Sequence, residues 1–152
     1  MEKSYVPVYK PAQDKARILC EKANAKTQQE KFDAITKWLN HSIYYDGVRE
    51  IHLKELTGPD VERCYEKRMG VCMDIACLAA CMFRAVDIHA NIVFGEVSFT
   101  DYRGTFGPNW HAWCEVYVDG NKVLYDQIAE KRNLNRIKTR NTYTYKVSHV
   151  RK

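Results

Sequence analysis

No apolar run in this sequence approaches the roughly 20 residues that a helix needs to cross a bilayer, so insertion by a membrane-spanning helix is excluded. The opening residues, Met1-Glu2-Lys3-Ser4-Tyr5-Val6-Pro7, lack a basic segment followed by an apolar one, and no secretory signal is expected. Internal repeats and low-complexity stretches are absent too. A chain of 152 residues suffices for one domain with a real core but not for two comfortable ones, so residues 1–152 are expected to form a single domain. Acidic side chains are missing from residues 131–152, where eight Lys and Arg fall. Taking these eight from the chain's 24 leaves 16 basic groups against 19 acidic ones, a balance of −3 within a total of +5. A basic end of this kind suits an anionic partner, either nucleic acid or an acidic substrate, or else a solvated sheet edge. The Gly-rich and aromatic signatures of nucleic-acid modules are lacking, so the sheet edge is preferred and nucleic acid is not expected as a partner.

The six cysteines, Cys20, Cys64, Cys72, Cys77, Cys81 and Cys114, include no second ligand pair at a zinc-site spacing. Cys77 and Cys81, one helical turn apart, are read as small packing residues, and no metal or cofactor is expected. Cys72 is different. From Cys72 to Val86 the only charged side chains are Asp74 and Arg84, which marks a central buried helix rather than a surface one. Cys72 stands at its first turn, where unpaired N–H groups and the positive end of the dipole favour a thiolate. Gly70 is expected to supply the unusual backbone angles that lead into this helix. For one cysteine taken alone, a buried structural role is the better account, and partners elsewhere must decide. If Cys72 is a free nucleophile, the other five cannot all pair, which leans towards a reducing compartment such as the cytoplasm.

In chain order, Pro7 and Pro11 suggest an extended arm, followed by a helix from Ala12 to about Ala25 with Ala16, Leu19, Cys20 and Ala23 inward. Thr27-Gln28-Gln29-Glu30 has the form of a capping box, and Phe32, Ile35, Trp38 and Leu39 then recur at helical spacing to about Asn40. Ile43-Tyr44-Tyr45-Asp46 reads as extended, 48–58 as a loop, and a short helix with Val61, Cys64 and Tyr65 on one face begins near Asp60. After the central helix, Ala90 to Phe99 reads as a strand and 100–109, with Gly104, Gly107 and Pro108, as a loop. The next stretch alternates: Trp110, Ala112, Cys114, Val116 and Val118 face one way, and His111, Trp113, Glu115 and Tyr117 the other. Asp119-Gly120 is a two-residue hairpin turn, Lys122 to Asp126 the returning strand, and Tyr143, Tyr145, Val147 and His149 suggest one more strand. Helices first and an antiparallel sheet afterwards make an α+β layout.

A two-residue turn at Asp119-Gly120 sets Val118 opposite Asn121 and, continued along the hairpin, Trp113 opposite Asp126. Because His111 shares a face with Trp113, His111 and Asp126 become diagonal neighbours, ~7–8 Å apart at the backbone and within side-chain reach. A three-residue loop would put them on opposite faces. A carboxylate held against an imidazole is what a general base requires. Cys72, His111 and Asp126 are thus the residue types of a thiol acyl-transfer triad, brought together if the helix packs on the sheet. His41, His52, His89 and His149 compete with His111, but none lies in a strand facing a hairpin acid.

Gly70-Val71-Cys72-Met73-Asp74-Ile75-Ala76, then His111-Ala112-Trp113-Cys114-Glu115-Val116-Tyr117-Val118-Asp119-Gly120, then Tyr125-Asp126, resemble the core of the transglutaminase-like superfamily. Including Trp38-Leu39 and Ile43-Tyr44-Tyr45-Asp46, the likeness covers roughly residues 28–128. The resemblance implies a papain-like α+β fold of the transglutaminase-like form, with the helix that begins at Cys72 packed centrally on an antiparallel sheet. It implies Cys72 as nucleophile, His111 as general base and acid, and Asp126 as the carboxylate that orients it. A proline commonly follows the family's aspartate, whereas Gln127 does here, which puts the exit path of the chain in question. Asp74 matches an acidic position of the family and is read as capping the first turn, because a carboxylate beside the thiol would raise its pKa. The Cys72 N–H is the natural oxyanion donor, with Tyr65, Tyr44 and Tyr45 as candidates for a second. Trp110, Trp113 and Tyr102 are candidates for an aromatic cleft, hydrophobic packing being at least as good an account of them.

The expected activity is that of a cysteine peptidase or amidase acting on a peptide or protein substrate through a Cys72 acyl-enzyme. Protein-glutamine crosslinking or deamidation ranks lower, because a short chain lacks the additional domains of the family's large calcium-dependent crosslinking enzymes. Release of a glycan by amide cleavage belongs to the same chemistry. The rival from another class is a catalytically silent binding module of the same fold. Domains resembling this one are often exported or surface-attached, which runs against the cytoplasmic expectation from the cysteines.

Overall fold

The structure, a computed structural model, describes residues 6–47, 59–101, 103–135 and 142–151. The expected loop at 48–58, together with His52 and Tyr102, lies outside the described residues. Helix α1 (Lys10–Lys22) carries Pro11 in its first turn, where a missing N–H is tolerated, and buries Ala12, Ala16 and Cys20. Ala23 forms its C-cap and is exposed, not inward. Helix α2 (Gln28–Ser42) opens on the expected capping box: Thr27 Oγ1 accepts the Glu30 N–H and Glu30 Oε1 accepts the Thr27 N–H, both at 3.1 Å. Its Ile35 and Leu39 are fully buried, and Phe32 and Trp38 pack on the core from its margin. A two-residue strand β1 (Tyr44–Tyr45) follows and pairs in parallel with β2 (Met69–Gly70). Between them lies α3 (Val61–Lys67), whose first turn is capped by Asp60.

Helix α4 (Cys72–Ala85) is the central element, and every residue from Asp74 to Phe83 is buried. It contacts β3 (Ala90–Asp101) and β4 (Gly104–Val118) and is itself contacted by α1, α2 and α3. The Sγ of Cys114, on the covered face of β4, donates to the Ala76 carbonyl at 3.1 Å and ties sheet to helix. Cys77 and Cys81 fill space in this core as expected; burial pushes the Cys77 thiol up to about 12, so it is inert as a nucleophile. The fold is α+β. A four-stranded antiparallel sheet runs in the order β5 (Asn121–Tyr125), β4, β3, β6 (Thr142–Arg151). The basic C-terminal stretch therefore includes an edge strand, as its charge suggested.

One expectation of secondary structure is corrected. Residues 100–109 are not a loop: β3 continues to Asp101 and β4 begins at Gly104. Stacking of Phe99 on Phe106, 5.0 Å between ring centroids, and a 3.0 Å hydroxyl contact between Thr100 and Thr105 favour the extended hairpin. The ladder skips between Val97↔Asn109 and Phe99↔Phe106, so Ser98 faces both Gly107 and Pro108, and this bulge accommodates the proline. Residues 127–135 form a helix, α5 (Gln127–Asn135), for which the sequence pattern offered no amphipathic stripe. Trp110 is 64% exposed, whereas Ala112 and Cys114 further along the strand are buried.

The opposite face of β4 is also shielded. Trp113 is 2% exposed, packed edge-on against Tyr145 of β6 with centroids 4.9 Å apart. Gly95 of β3 makes room for it: a Cβ there would lie 2.8 Å from Trp113 Cη2 and would collide with the Lys146 carbonyl oxygen. Burying a large aromatic on this face stabilises the β3–β4–β6 junction by about 2–3 kcal/mol.

Candidate active site

The β4–β5 hairpin has the predicted parity. Val118 pairs with Asn121 and the register runs unbroken to Cys114↔Tyr125. Asp126 then leaves the ladder rather than pairing with Trp113, and its backbone and side chain cap α5: Oδ1 accepts the Ile128 N–H at 3.2 Å and the carbonyl accepts the Glu130 N–H. Oδ2 is left facing the sheet, where it meets His111 Nε2 at 2.9 Å. The same oxygen accepts the Tyr145 hydroxyl, also at 2.9 Å. Asp126 is 5% exposed and the His111 side chain 12%, so this pair is largely removed from water.

Cys72 also lies close enough to His111 to favour its charged ring. Burial pulls the imidazole down, and it is the largest single influence. The contacts with Asp126 and Cys72 together outweigh it and push His111 up to about 9. At neutral pH the ring is therefore an imidazolium held between a carboxylate and a thiol, which is the charge state that favours a thiolate–imidazolium pair. The ring of Trp113 lies 6.1 Å from that of His111 and shields it.

The start of α4 is set by Asp74 and Gly70. Asp74 is 1% exposed; Oδ2 accepts the Val71 N–H at 3.0 Å and Oδ1 accepts the Asp60 N–H at 2.8 Å. Its carboxylate is thus occupied with backbone, as the capping reading required, and α3 is tied to α4 through it. Gly70 is needed for another reason than the expected one. Its backbone is not in the left-handed region; instead an added Cβ would lie 2.8 Å from both Asp74 Cβ and Cys64 Sγ. The left-handed residue is Arg68, at φ 58°. As a first-turn residue, Cys72 has an N–H without an intrahelical acceptor.

Cys72, His111 and Asp126 border a cleft of about 640 Å³ whose walls include Tyr45, Phe99, Trp110, Tyr143 and Lys131. Of the three tyrosines considered for the oxyanion, only Tyr45 reaches this cleft. Tyr65 packs between Tyr9 and Trp38, with Arg68 over its ring, and Tyr44 lies under Lys131. Trp110 lines the cleft, whereas Trp113 lies behind His111 as packing. The competing histidines are elsewhere: His41 Nδ1 faces the Lys37 carbonyl, His89 packs on Tyr117 and His149 on Phe94.

Two contributors escaped the sequence reading. Tyr145 was visible only as part of an alternating strand, since its partner lies across β3 and β4. Gln127, noted for not being proline, is buried, and its Nε2 donates to the Leu39 and Ile43 carbonyls at 3.0 and 2.9 Å. It occupies the first position of α5, where proline is favoured, and secures the exit of the chain by side-chain bonds to the end of α2. Gln127→Ala should lower the unfolding free energy by about 1–2 kcal/mol, read by denaturant titration, because buried carbonyls lose a donor.

The profile of the transglutaminase-like superfamily matches residues 16–126, and the chain belongs to that superfamily. No curated protein sequence matches it significantly. Among solved structures it is similar to a candidate cysteine protease from Cytophaga hutchinsonii, at 22% identity and a TM-score of 0.58 over 96% of this chain and 52% of that one. A candidate protease from Parabacteroides distasonis aligns at 18% identity and a TM-score of 0.56, over 77% of this chain and 23% of that chain. A structure described as a TGase gives 18% identity and 0.56 over 77% of this chain and 32% of its own. These likenesses establish the transglutaminase-like cysteine protease fold. The chain spans from about a quarter to about half of the length of these proteins.

Proposed function

We propose that the protein is a thiol acyl-transfer enzyme, a cysteine peptidase or amidase acting on a peptide or protein amide. The observation that carries this reading is the convergence of Cys72, His111 and Asp126 on one cleft, with His111 Nε2 held 2.9 Å from the Asp126 carboxylate. The Cys72 thiolate attacks the amide carbon, forming a C–S bond and moving the carbonyl π electrons onto oxygen. The developing oxyanion is met by the Cys72 N–H at the start of α4, with the Tyr45 hydroxyl as a second candidate donor. When the tetrahedral species collapses, the C–N bond breaks and the imidazolium gives its proton to the leaving amine. Water then adds to the thioester, His111 takes its proton, and the acid departs with the thiolate restored. Asp126 keeps its charge throughout and holds the ring by Nε2, with Tyr145 and the Ile128 N–H holding Asp126.

Hydrolysis is preferred to amine transfer because two of the three similar solved structures are described as proteases. Incubation with a peptide library followed by mass spectrometry should yield an acyl adduct on the Cys72 peptide. Absence of an adduct, with Cys72 alkylated no faster than an exposed model thiol and unaffected by His111→Ala, would leave the silent binding module as the better account.

A further inference from the structure

We infer that the cleft beside Cys72 is built for a peptide that carries a carboxylate close to the attacked amide, with Lys131 as the group that receives it. This rests on the acyl-transfer reading and names its substrate class. The lining of the cleft is otherwise neutral or already engaged. Tyr45, Val97, Phe99, Asn109, Trp110 and Tyr143 offer apolar and hydrogen-bonding surface, while His111 and Asp126 satisfy each other. Lys131 is the single Lys or Arg among the described lining residues.

The ammonium of Lys131 is held rather than mobile. Its Nζ donates to the Ile43 carbonyl at 2.9 Å and sits 4.6 Å from the centre of the Tyr44 ring. One of three N–H donors is thereby used, and the remaining two have no carboxylate within ion-pair distance among the described residues. The neighbouring acid cannot serve, because Glu130 is engaged by the Asn40 amide at 2.6 Å. The Ile43 carbonyl already receives Gln127, so capping α2 does not by itself require a second, charged donor. Burial lowers the Lys131 pKa, an unfavourable desolvation that an incoming carboxylate would offset.

The position follows from the short parallel pair. Tyr45 is paired with Gly70, and Cys72 lies two residues beyond it, while Lys131 covers the adjacent Tyr44. Lys131 and Cys72 border the same cleft, so a peptide that brings an amide to Cys72 can present a nearby carboxylate to Lys131. An acidic side chain and a free C-terminal carboxylate offer the same chemistry to this group.

Equilibrium binding to Cys72→Ala protein tests the subsite without requiring turnover. Short peptides are used in matched pairs, Glu against Gln at each position, and C-terminal acid against C-terminal amide. The acidic member of one series should bind roughly tenfold tighter or more, with a gap that narrows as salt is added. The series showing the gap tells whether side chain or terminus is read. Adding Lys131→Met should abolish the gap, and Lys131→Arg should retain most of it. Equal affinities within every pair, or a gap that survives Lys131→Met, would overturn the proposal. Loss of stability in Lys131→Met with the gap intact would reduce Lys131 to a cap on α2. A gap in Cys72→Ala protein alongside no acyl adduct in the native chain would instead refute the acyl-transfer reading and leave the carboxylate site standing.

Discussion

Cys72→Ala should lower turnover of any amide substrate by at least about 10⁴-fold, with little change in thermal stability. The size of the effect follows from what the thiol supplies in the proposed reaction: a covalent intermediate that would divide a difficult hydrolysis into two easier steps. Residual activity would come from the cleft and the oxyanion donors, which the substitution leaves in place. Little stability is at stake because Cys72 lies at the margin of the core, half-buried at the first turn, while Asp74 and Gly70 hold the start of α4. Cys72→Ser is the sharper comparison. It keeps the size and a hydrogen-bonding hydroxyl, so near-native activity in the serine variant would rule out thiolate catalysis. The other five cysteines offer an internal control, since each is buried and Cys64, Cys77, Cys81 and Cys114 are pushed up by burial. Alkylation of the folded protein should therefore be confined to Cys72 in its early phase.

The elements of the site were legible where a local pattern encodes them. The apolar run after Cys72 favours a buried helix over a surface one, and the Asp119-Gly120 turn sets the register that brings His111 and Asp126 to one end of the hairpin. Thr27 and Glu30 announce α2 in the same way. What could not be read depends on contacts between segments distant in the chain. The strands of the 100–109 region run through glycines and a proline because Phe99 meets Phe106 and a bulge takes up Pro108. Helix α5 carries no amphipathic signal of its own; it is anchored at its first residue by Gln127 on α2 and capped by Asp126. Tyr145 reaches Asp126 only because β6 adds to the far side of β3, a pairing that alternation alone cannot assign. Gly70 shows that a correct residue can carry the wrong reason: close packing on Asp74 and Cys64, not backbone freedom, excludes a side chain there.

Asp126→Asn should lower turnover by about 10³- to 10⁴-fold while leaving α5 intact, because asparagine is as good an N-cap as aspartate. The carboxylate does three things that an amide cannot do together. It accepts the Ile128 N–H on one oxygen and both His111 Nε2–H and the Tyr145 hydroxyl on the other, and its negative charge raises His111. An asparagine has one oxygen and no charge, so burial would act on His111 with less opposition and the ring would lose its proton at lower pH. The alkaline limb of the pH–rate profile, where imidazolium is lost, should stand near pH 9 in the native protein and move down in the variant. Stability follows with a definite sign. His111 is raised above its ordinary 6.5, so its contribution is fully present below that pH and disappears as pH rises through about 9. At about 1.4 kcal/mol per pKa unit that contribution is at most about 3–4 kcal/mol, and the difference in unfolding free energy between native and Asp126→Asn protein should narrow across this window. The His111 ring resonances, followed by NMR from pH 5 to 10, check both. A midpoint that does not fall in the variant would mean that Asp126 serves α5 alone, and that Cys72 rather than the carboxylate keeps His111 protonated.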